Sequence, residues 1–251
     1  MVALREILQY TNNLLEIDRF KDYAPNGLQV EGSSDIKSIV SGVTASLELV
    51  TAAVEAGADA LLVHHGYFWK GEDPCISGMK KRRLQALLKH EISLIAYHLP
   101  LDAHSRYGNN ALLGKRLGIE FKGVFGSSLP PLMMEGEFPS ALPAEAISEL
   151  ISVKLGRVPL HISAGERQIK TIAWCSGGAQ NYIEEAAAHG VDAYISGEIS
   201  EKTTHVAREM GIHYFAAGHH ATERYGIEAL SMHLSRRFNL THQFIDVDNP
   251  V

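Results

Sequence analysis

Two stretches decide the fold of this chain, because one is a repeat of the other. Residues 55–62 read EAGADALL, and residues 188–195 read AHGVDAYI. Both contain Gly-x-Asp-Ala at an offset of 133 residues, and the strand-like runs that begin at Lys37 and Lys170 keep the same offset. Strand–helix–strand units resemble one another generically, so chance similarity is the alternative. The histidines that follow both copies favour an internal duplication.

Each copy reads as a β-α-β unit: strand, Gly- or Ser-containing turn, amphipathic helix, Gly break and second apolar strand. Gly57 and Gly190 stand where a helix typically terminates. A further helix and strand follow at 82–89 and 92–98 in the first half, and at 203–209 and 212–217 in the second. The offset falls there to 120 residues, which places 13 extra residues of the first half within Tyr67–Lys81.

The pattern predicts an α/β fold of two pseudo-symmetric lobes. Residues 1–125 form the first lobe, and residues 126–251 form a connector and the second lobe, with a C-terminal strand able to return to the first. Ligands in open α/β sheets bind outside the carboxyl ends of strands, so we expect a metal site in the crevice between the lobes. Gly123–Pro143 reads as the connector, Asp22–Gly32 as a turn-rich loop and Val2–Leu15 as a covering helix.

Composition restricts the class of protein. The 251 residues are 45% hydrophobic and 21% charged, as in soluble globular proteins, and the net charge of −6 argues against general binding to nucleic acid or anionic membranes. Cys75 and Cys175 fit reduced thiols. Arg5, Glu6 and Glu16 argue against a signal peptide or membrane span at the N-terminus. We expect a cytoplasmic protein.

Histidines mark the ends of the predicted strands. His64 and His65 end one apolar run, and His219 ends another. Asp102 follows a third strand, and Glu223 comes four residues after His219, which places both on one face if a helix begins there. A lone histidine at a strand end is more often structural. Five such side chains from repeated units instead predict a two-metal centre, in which a carboxylate bridges two ions.

Two weaker signals carry other interpretations. Ser176-Gly177-Gly178 lies between a strand and a helix and could cradle a phosphate, but it lacks the lysine of a P-loop, which favours a plain tight turn. The basic run Lys80–Arg83 could attract a phosphate-bearing substrate, although a solvated helix start is commoner. Ser41 and Ser176 have no adjacent base in sequence, so there is no case for a serine nucleophile.

Four motifs resemble a known family, the GTP cyclohydrolase I type 2 homologues, also called Nif-three-like dinuclear metal proteins. The motifs are APNGLQV at 24–30, VHHG at 63–66, HLPLD at 98–102 and GHHATE at 218–223. The resemblance spans essentially the whole chain and matches the short bacterial form. It implies a two-lobed α/β fold and a homohexamer shaped as a ring, or toroid, around a central cavity.

The resemblance also implies a set of ligands for two divalent ions. Zn, Fe, Mn and Ni all suit a mixed set of imidazoles and carboxylates. The family's metal ligands carry over to His64, His65, Asp102, His219 and Glu223, with Glu223 as the bridging ligand. Three further residues are candidates for orienting the ligands or transferring protons: His98, His104 and Glu198.

Two functions remain open at this point. The first is a metal-dependent hydrolase that acts on a purine nucleotide or related small molecule by metal-activated water, as a GTP cyclohydrolase does. The second is a non-catalytic protein for metal binding, metal insertion or scaffolding. The second is supported because no acidic clamp for guanine can be assigned in the sequence. We favour the first.

Overall fold

The computed structural model describes residues 1–251 and shows a mixed α/β protein with nine α-helices. The helices are α1 (Leu4–Leu14), α2 (Leu47–Glu55), α3 (Gly78–Lys89), α4 (Leu99–Ala103), α5 (Asn109–Arg116), α6 (Ala144–Leu155), α7 (Ile183–His189), α8 (Glu201–Met210) and α9 (His219–Phe238). The strands are β1 (Val2–Ala3), β2 (Gly27–Val30), β3 (Asp35–Ile36), β4 (Ser38–Thr44), β5 (Ala60–His65), β6 (Ser93–Ala96), β7 (Glu120–Phe125), β8 (Met133–Leu142), β9 (Leu160–Ile162), β10 (Ile169–Trp174), β11 (Ala193–Ser196), β12 (His213–Ala216) and β13 (Thr241–Phe244).

The chain forms two compact units. The first contains Met1–Leu101 and Gly226–Asp248, and the second contains Asp102–Tyr225 and Asn249–Val251. The sequence pattern predicted the division after residue 125 instead. The difference arises because α5 supplies Leu113 to the core of the second unit, while the latter part of α9 supplies Leu230 to a core of the first.

The first unit is built on a five-stranded sheet in the order β13-β4-β5-β6-β2. Strands β4, β5, β6 and β13 run parallel, and β2 is antiparallel to β6. Successive side chains of a strand point to opposite faces. Accordingly, Leu61 packs in one buried cluster with Leu49 of α2, and Leu62 packs in another with Ile7 of α1. Helices therefore cover both faces of this sheet.

The second unit is built on a six-stranded sheet in the order β7-β8-β10-β11-β12-β9. Its centre, β10-β11-β12, is parallel, and the flanking strands are antiparallel. The core joins Ile172 and Ile195 of the sheet to Leu113 of α5 and Ile147 of α6.

Strand pairing confirms the internal repeat. Ala60 is paired with Ile39 in the first sheet, and Ala193 is paired with Ile172 in the second, at the predicted offset of 133 residues. The extra residues of the first half lie between β5 and α3, where the corresponding link from β11 to α8 is short. The repeat therefore sets the parallel centre of both sheets.

Two predictions from the sequence are wrong. Gly123–Pro143 is not an irregular connector, because β7 and β8 pair there as antiparallel strands. Gly136 hides the strand pattern: a Cβ at this position would lie 2.5 Å from the carbonyl oxygen of Glu120, so the strands approach too closely for a side chain. The loop predicted for Asp22–Gly32 contains β2. The predicted N-terminal helix is present as α1.

No helix combines the length and the low polarity that crossing a membrane would require.

Candidate metal centre

Three histidines of the first unit form one group, here called the histidine cluster: His64, His65 and His98. His64 and His65 end β5, and His98 follows the neighbouring strand β6. One nitrogen from each ring can be chosen so that all three lie within 4.8 Å of one another. The rings of His64 and His65 are 4.5 Å apart although the residues are adjacent, so both reach the same place. Parallel strands bring their carboxyl ends to one edge, which explains the convergence.

Hydrogen bonds orient each ring through its Nδ1 atom. Nδ1 of the buried His64 donates to the carbonyl oxygen of Tyr97 at 2.8 Å, and Nδ1 of His65 lies 3.1 Å from Oγ1 of Thr44. A carbonyl can only accept, so the proton of neutral His64 is on Nδ1. A metal ion would then bind at Nε2, the arrangement that outer hydrogen bonds impose on metal-binding histidines. His64 therefore presents Nε2 as a ligand atom for a divalent cation.

Asp22 orients the third histidine and was missed by the sequence analysis. Its Oδ1 atom is 2.7 Å from Nδ1 of His98, and its Oδ2 atom accepts from the main-chain N–H of Leu99 at 3.0 Å. Burial raises the pKa of Asp22, but the hydrogen bond and charge of His98 outweigh it and hold this pKa below its ordinary value. Asp22 precedes the turn at Pro25, and nothing in the sequence pairs it with a residue so far along the chain.

The carboxylate of Asp102 is held in place within the second unit. Its Oδ1 atom accepts from Nδ2 of Asn109 at 2.9 Å and from Oγ of Ser176 at 3.2 Å. Asp102 is buried, and these two neutral donors hydrogen-bond to one of its carboxylate oxygens. Asn109 begins α5 and Ser176 follows β10, so both are fixed by regular structure. Neither contact was predicted.

His219 lies between two carboxylates. Helix α9 begins at His219, so Glu223 falls on the same face as expected, with its Oε2 atom 3.0 Å from Nε2 of His219. On the other side of the ring, Nδ1 is 2.6 Å from Oε1 of Glu198. Burial lowers the pKa of His219, but the hydrogen bond and charge of Glu223, and then those of Glu198, raise it to about 9. A divalent cation bound at Nε2 and Oε2 would replace the proton that these two atoms share.

Gly177 allows Glu223 and His219 to lie against the turn that follows β10. Its φ angle is +66°, and a Cβ at this position would lie 2.9 Å from Cδ of Glu223 and 3.1 Å from Nε2 of His219. The N–H groups of Ser176 and Gly177 in this turn are already used, so they are not available to cradle a phosphate. The N–H of Ser176 donates to Oδ1 of Asn110, and the N–H of Gly177 donates to Oγ1 of Thr222. The plain turn favoured from the sequence is present.

Two predicted features lie apart from these groups. The Nδ1 atom of His104 accepts from the main-chain N–H groups of Arg106 and Tyr107 at 3.2 and 3.0 Å, so this histidine stabilises a turn after α4. Lys80, in the basic run, lies in the first turn of α3, and its Nζ atom is 3.2 Å from Oε2 of Glu72. The basic run lies at the start of α3, where Lys81 and Arg82 are exposed and Lys80 and Arg83 are half-buried.

Comparison with known proteins identifies the family to which the chain belongs. The family described as Duf34/NIF3 (NGG1p interacting factor 3) matches residues 2–250. The chain belongs to this family. It is 52% identical over 250 residues to the Pseudomonas aeruginosa protein named GTP cyclohydrolase 1 type 2 homolog, with 99% of each chain covered. The resemblance inferred from the motifs is thereby confirmed.

Solved structures of the Duf34/NIF3 type share the fold. A structure described as protein ybgI, of unknown function, matches with a TM-score of 0.96 and 49% identity, covering all of both chains. The crystal structure of TTHA1606 from Thermus thermophilus matches with a TM-score of 0.89 and 31% identity, again over all of both chains. The α/β fold predicted from the repeat is therefore the fold of this family.

Proposed function

We propose that this chain is a metal-dependent hydrolase that binds two divalent ions and acts on a purine nucleotide or a related small molecule. The proposed ligands are His64, His65, Asp102, His219 and Glu223, with Glu223 bridging the ions. The proposal depends mainly on the pair His219 and Glu223. Nε2 of His219 and Oε2 of Glu223 lie 3.0 Å apart, and Glu223 is almost fully buried. Buried carboxylates of this kind are commonly paired or coordinate metals.

The surrounding residues support this assignment by fixing the ligands. Tyr97 holds His64 through its carbonyl oxygen, Glu198 holds His219 through Nδ1, and Asn109 holds Asp102. Such outer contacts set the tautomer and direction of a ligand before any ion arrives, which lowers the reorganisation that binding requires. When bound, two divalent ions would supply a water of lowered pKa and stabilise negative charge in the transition state.

We assign proton transfer to His98. Its Nδ1 atom is tied to Asp22 at 2.7 Å, so Nε2 is the atom that would take or give a proton, and the Asp22 carboxylate would stabilise the charged ring. Glu198 is a positioning residue, because it acts through His219. His104 receives no role in this mechanism.

The names of relatives support the substrate class. The P. aeruginosa relative carries the name GTP cyclohydrolase 1 type 2 homolog. If this chain has the activity in that name, its reaction is the hydrolytic opening of the imidazole ring of guanine. Water adds to the carbon between the two ring nitrogens, one carbon–nitrogen bond breaks, and the released nitrogen takes a proton.

Turnover of GTP before and after removal of metal tests the proposal. We expect product from wild type, loss of product on chelation and recovery when Zn²⁺ or Mn²⁺ is restored. Glu223→Ala should lose turnover, whereas Glu228→Ala, in the same helix, should keep it. Full metal occupancy without turnover of any purine nucleotide would contradict the hydrolase and support the alternative, a non-catalytic metal-binding, metal-insertion or scaffold protein.

We also propose that the protein is a homohexameric ring, as the family resemblance implies, and that it is cytoplasmic, as its composition led us to expect. Light scattering of the purified protein tests the assembly, because a monomer mass would contradict it.

A further inference from the structure

A cavity of about 470 Å³ lies in the second unit, and its lining includes Ala103, which follows Asp102, but none of the proposed metal ligands. Helix α5 forms one wall with Ala111 and Gly114, and the strands β7, β8 and β10 form the other with Phe121, Met134 and Trp174. Its volume falls in the range of about 300–1,000 Å³ that is typical of small-molecule sites.

The back of the cavity is rigid. Trp174 is almost fully buried, and its Nε1 atom donates to the carbonyl oxygen of Asn110 at 2.8 Å. A Cβ at Gly114 would lie 2.5 Å from Cζ2 of this indole, so the helix rests directly on the ring. The wall is therefore formed before any ligand arrives, which lowers the entropic cost of binding.

Apolar and aromatic groups dominate the lining, and the opening carries a positive charge. Phe121 and Val124, which line the cavity, are 58% and 51% exposed. Lys115 is exposed, lines the cavity and forms no ion pair, and no acidic side chain lines the cavity. The charge of Lys115 is thus available to an anionic ligand.

We propose that this cavity binds a planar aromatic molecule that carries an anionic group. The ring packs against the side chains of Phe121 and Val124, and the anion lies near Lys115. A concave space of this volume fits one ring system, whereas a stable contact with a second copy needs about 800 Å² on each partner. This proposal does not rest on the hydrolase proposal.

The probe for the test is 1-anilinonaphthalene-8-sulfonate, which has the proposed chemistry and accepts energy from tryptophan. The chain contains two tryptophans, so a Trp69→Phe background leaves Trp174 as the sole donor. We expect saturable energy transfer from Trp174 with one probe per chain. Ala111→Phe, which places a ring in the cavity, should weaken binding about tenfold or more.

The charge is tested separately, with a variant that does not threaten folding. Lys115→Met should weaken the sulfonate several-fold and leave the neutral analogue N-phenyl-1-naphthylamine unchanged, while Lys89→Met should affect neither probe. Absence of saturable energy transfer would overturn the proposal, as would equal weakening of both probes by Lys115→Met. Probe binding that falls as protein concentration rises would show that a second copy covers the cavity, which would also overturn it.

Discussion

Asp192 makes in the second unit the hydrogen bonds that Asp59 makes in the first. Each carboxylate accepts, through Oδ2, from two consecutive main-chain N–H groups at the start of the preceding strand of its repeat. The distances are 2.7 and 2.9 Å from Lys37 and Ser38 to Asp59, and 3.0 and 2.9 Å from Lys170 and Thr171 to Asp192. The aspartate of Gly-x-Asp-Ala therefore ties the first strand of each repeat to the second and has a structural role.

Replacing this aspartate should destabilise the fold. Asp192→Ala removes the acceptor for two N–H groups, so we expect the free energy of unfolding to fall by about 1–3 kcal/mol. Urea denaturation measures the change, with Asp248→Ala, at an exposed position, as the control. Equal unfolding midpoints for the two variants would show that the hydrogen bonds do not stabilise the unit.

The same residue predicts a pH dependence of stability. Burial raises the pKa of Asp192, but hydrogen bonds from Thr171 and Lys170 and the charge of Arg167 outweigh it and lower this pKa. A carboxyl group whose pKa is lower in the folded state stabilises the fold above its unfolded pKa of about 4, and this stabilisation is lost as the pH falls through the folded pKa. Between pH 5 and 3, Asp192→Asn should therefore lose less stability than wild type in urea denaturation. Parallel pH profiles would contradict the assignment.

Gly177 offers a test of the site that leaves every proposed ligand in place. Gly177→Ala puts a methyl group against Glu223 and His219, so we expect metal content to fall while the circular dichroism spectrum is kept. Gly211→Ala is the matched control, because Gly211 has a φ angle of +68° and nothing within 4 Å of its Cβ position. Equal metal loss in both variants would mean that backbone strain, not the clash, is responsible.

His98 and His104 were equal candidates in the sequence, and the structure separates them. His98 belongs to the histidine cluster, so His98→Ala should lower metal affinity or turnover about 10- to 100-fold, as loss of groups around a metal commonly does. His104→Ala should change neither, because His104 stabilises a turn. Competition titration with a chelating dye measures affinity, and a loss at His104 as large as that at His98 would contradict this distinction.

Metal removal should lower thermal stability. A ligand that binds only the folded state stabilises it by about 2.7 kcal/mol at 100 times its Kd. We expect the Tm of wild type to fall on treatment with EDTA and to recover with Zn²⁺ or Mn²⁺. Glu223→Ala should respond less, because it lacks the proposed bridging ligand. A wild-type Tm that is indifferent to EDTA and to added metal would argue against a structural contribution from the ions.

Features that follow from the internal repeat could be predicted from the sequence, whereas features that depend on the order of the strands could not. Gly57-x-Asp59-Ala60 recurs in the second half, so the parallel centre of each sheet followed from it. The strand β8 was missed because Gly136 and Pro139 interrupt its pattern.

The candidate site likewise contains features that the sequence predicted and features that it did not. The positions of the histidines at strand ends predicted that they lie close together, because the carboxyl ends of parallel strands share one edge of a sheet. The contacts of Asp22 with His98 and of Ser176 with Asp102 join residues 76 and 74 positions apart. No local pattern encodes such pairs, because they depend on which strands become neighbours.

Metal content per chain, measured by elemental analysis after reconstitution and desalting, tests the central claim most directly. Wild type and Glu223→Gln are compared, since glutamine keeps the size of the side chain and removes the charge that a bridging ligand needs. The proposed centre predicts about two ions per chain in wild type and fewer in the variant. Wild type without bound metal, or equal content in both proteins, would contradict it.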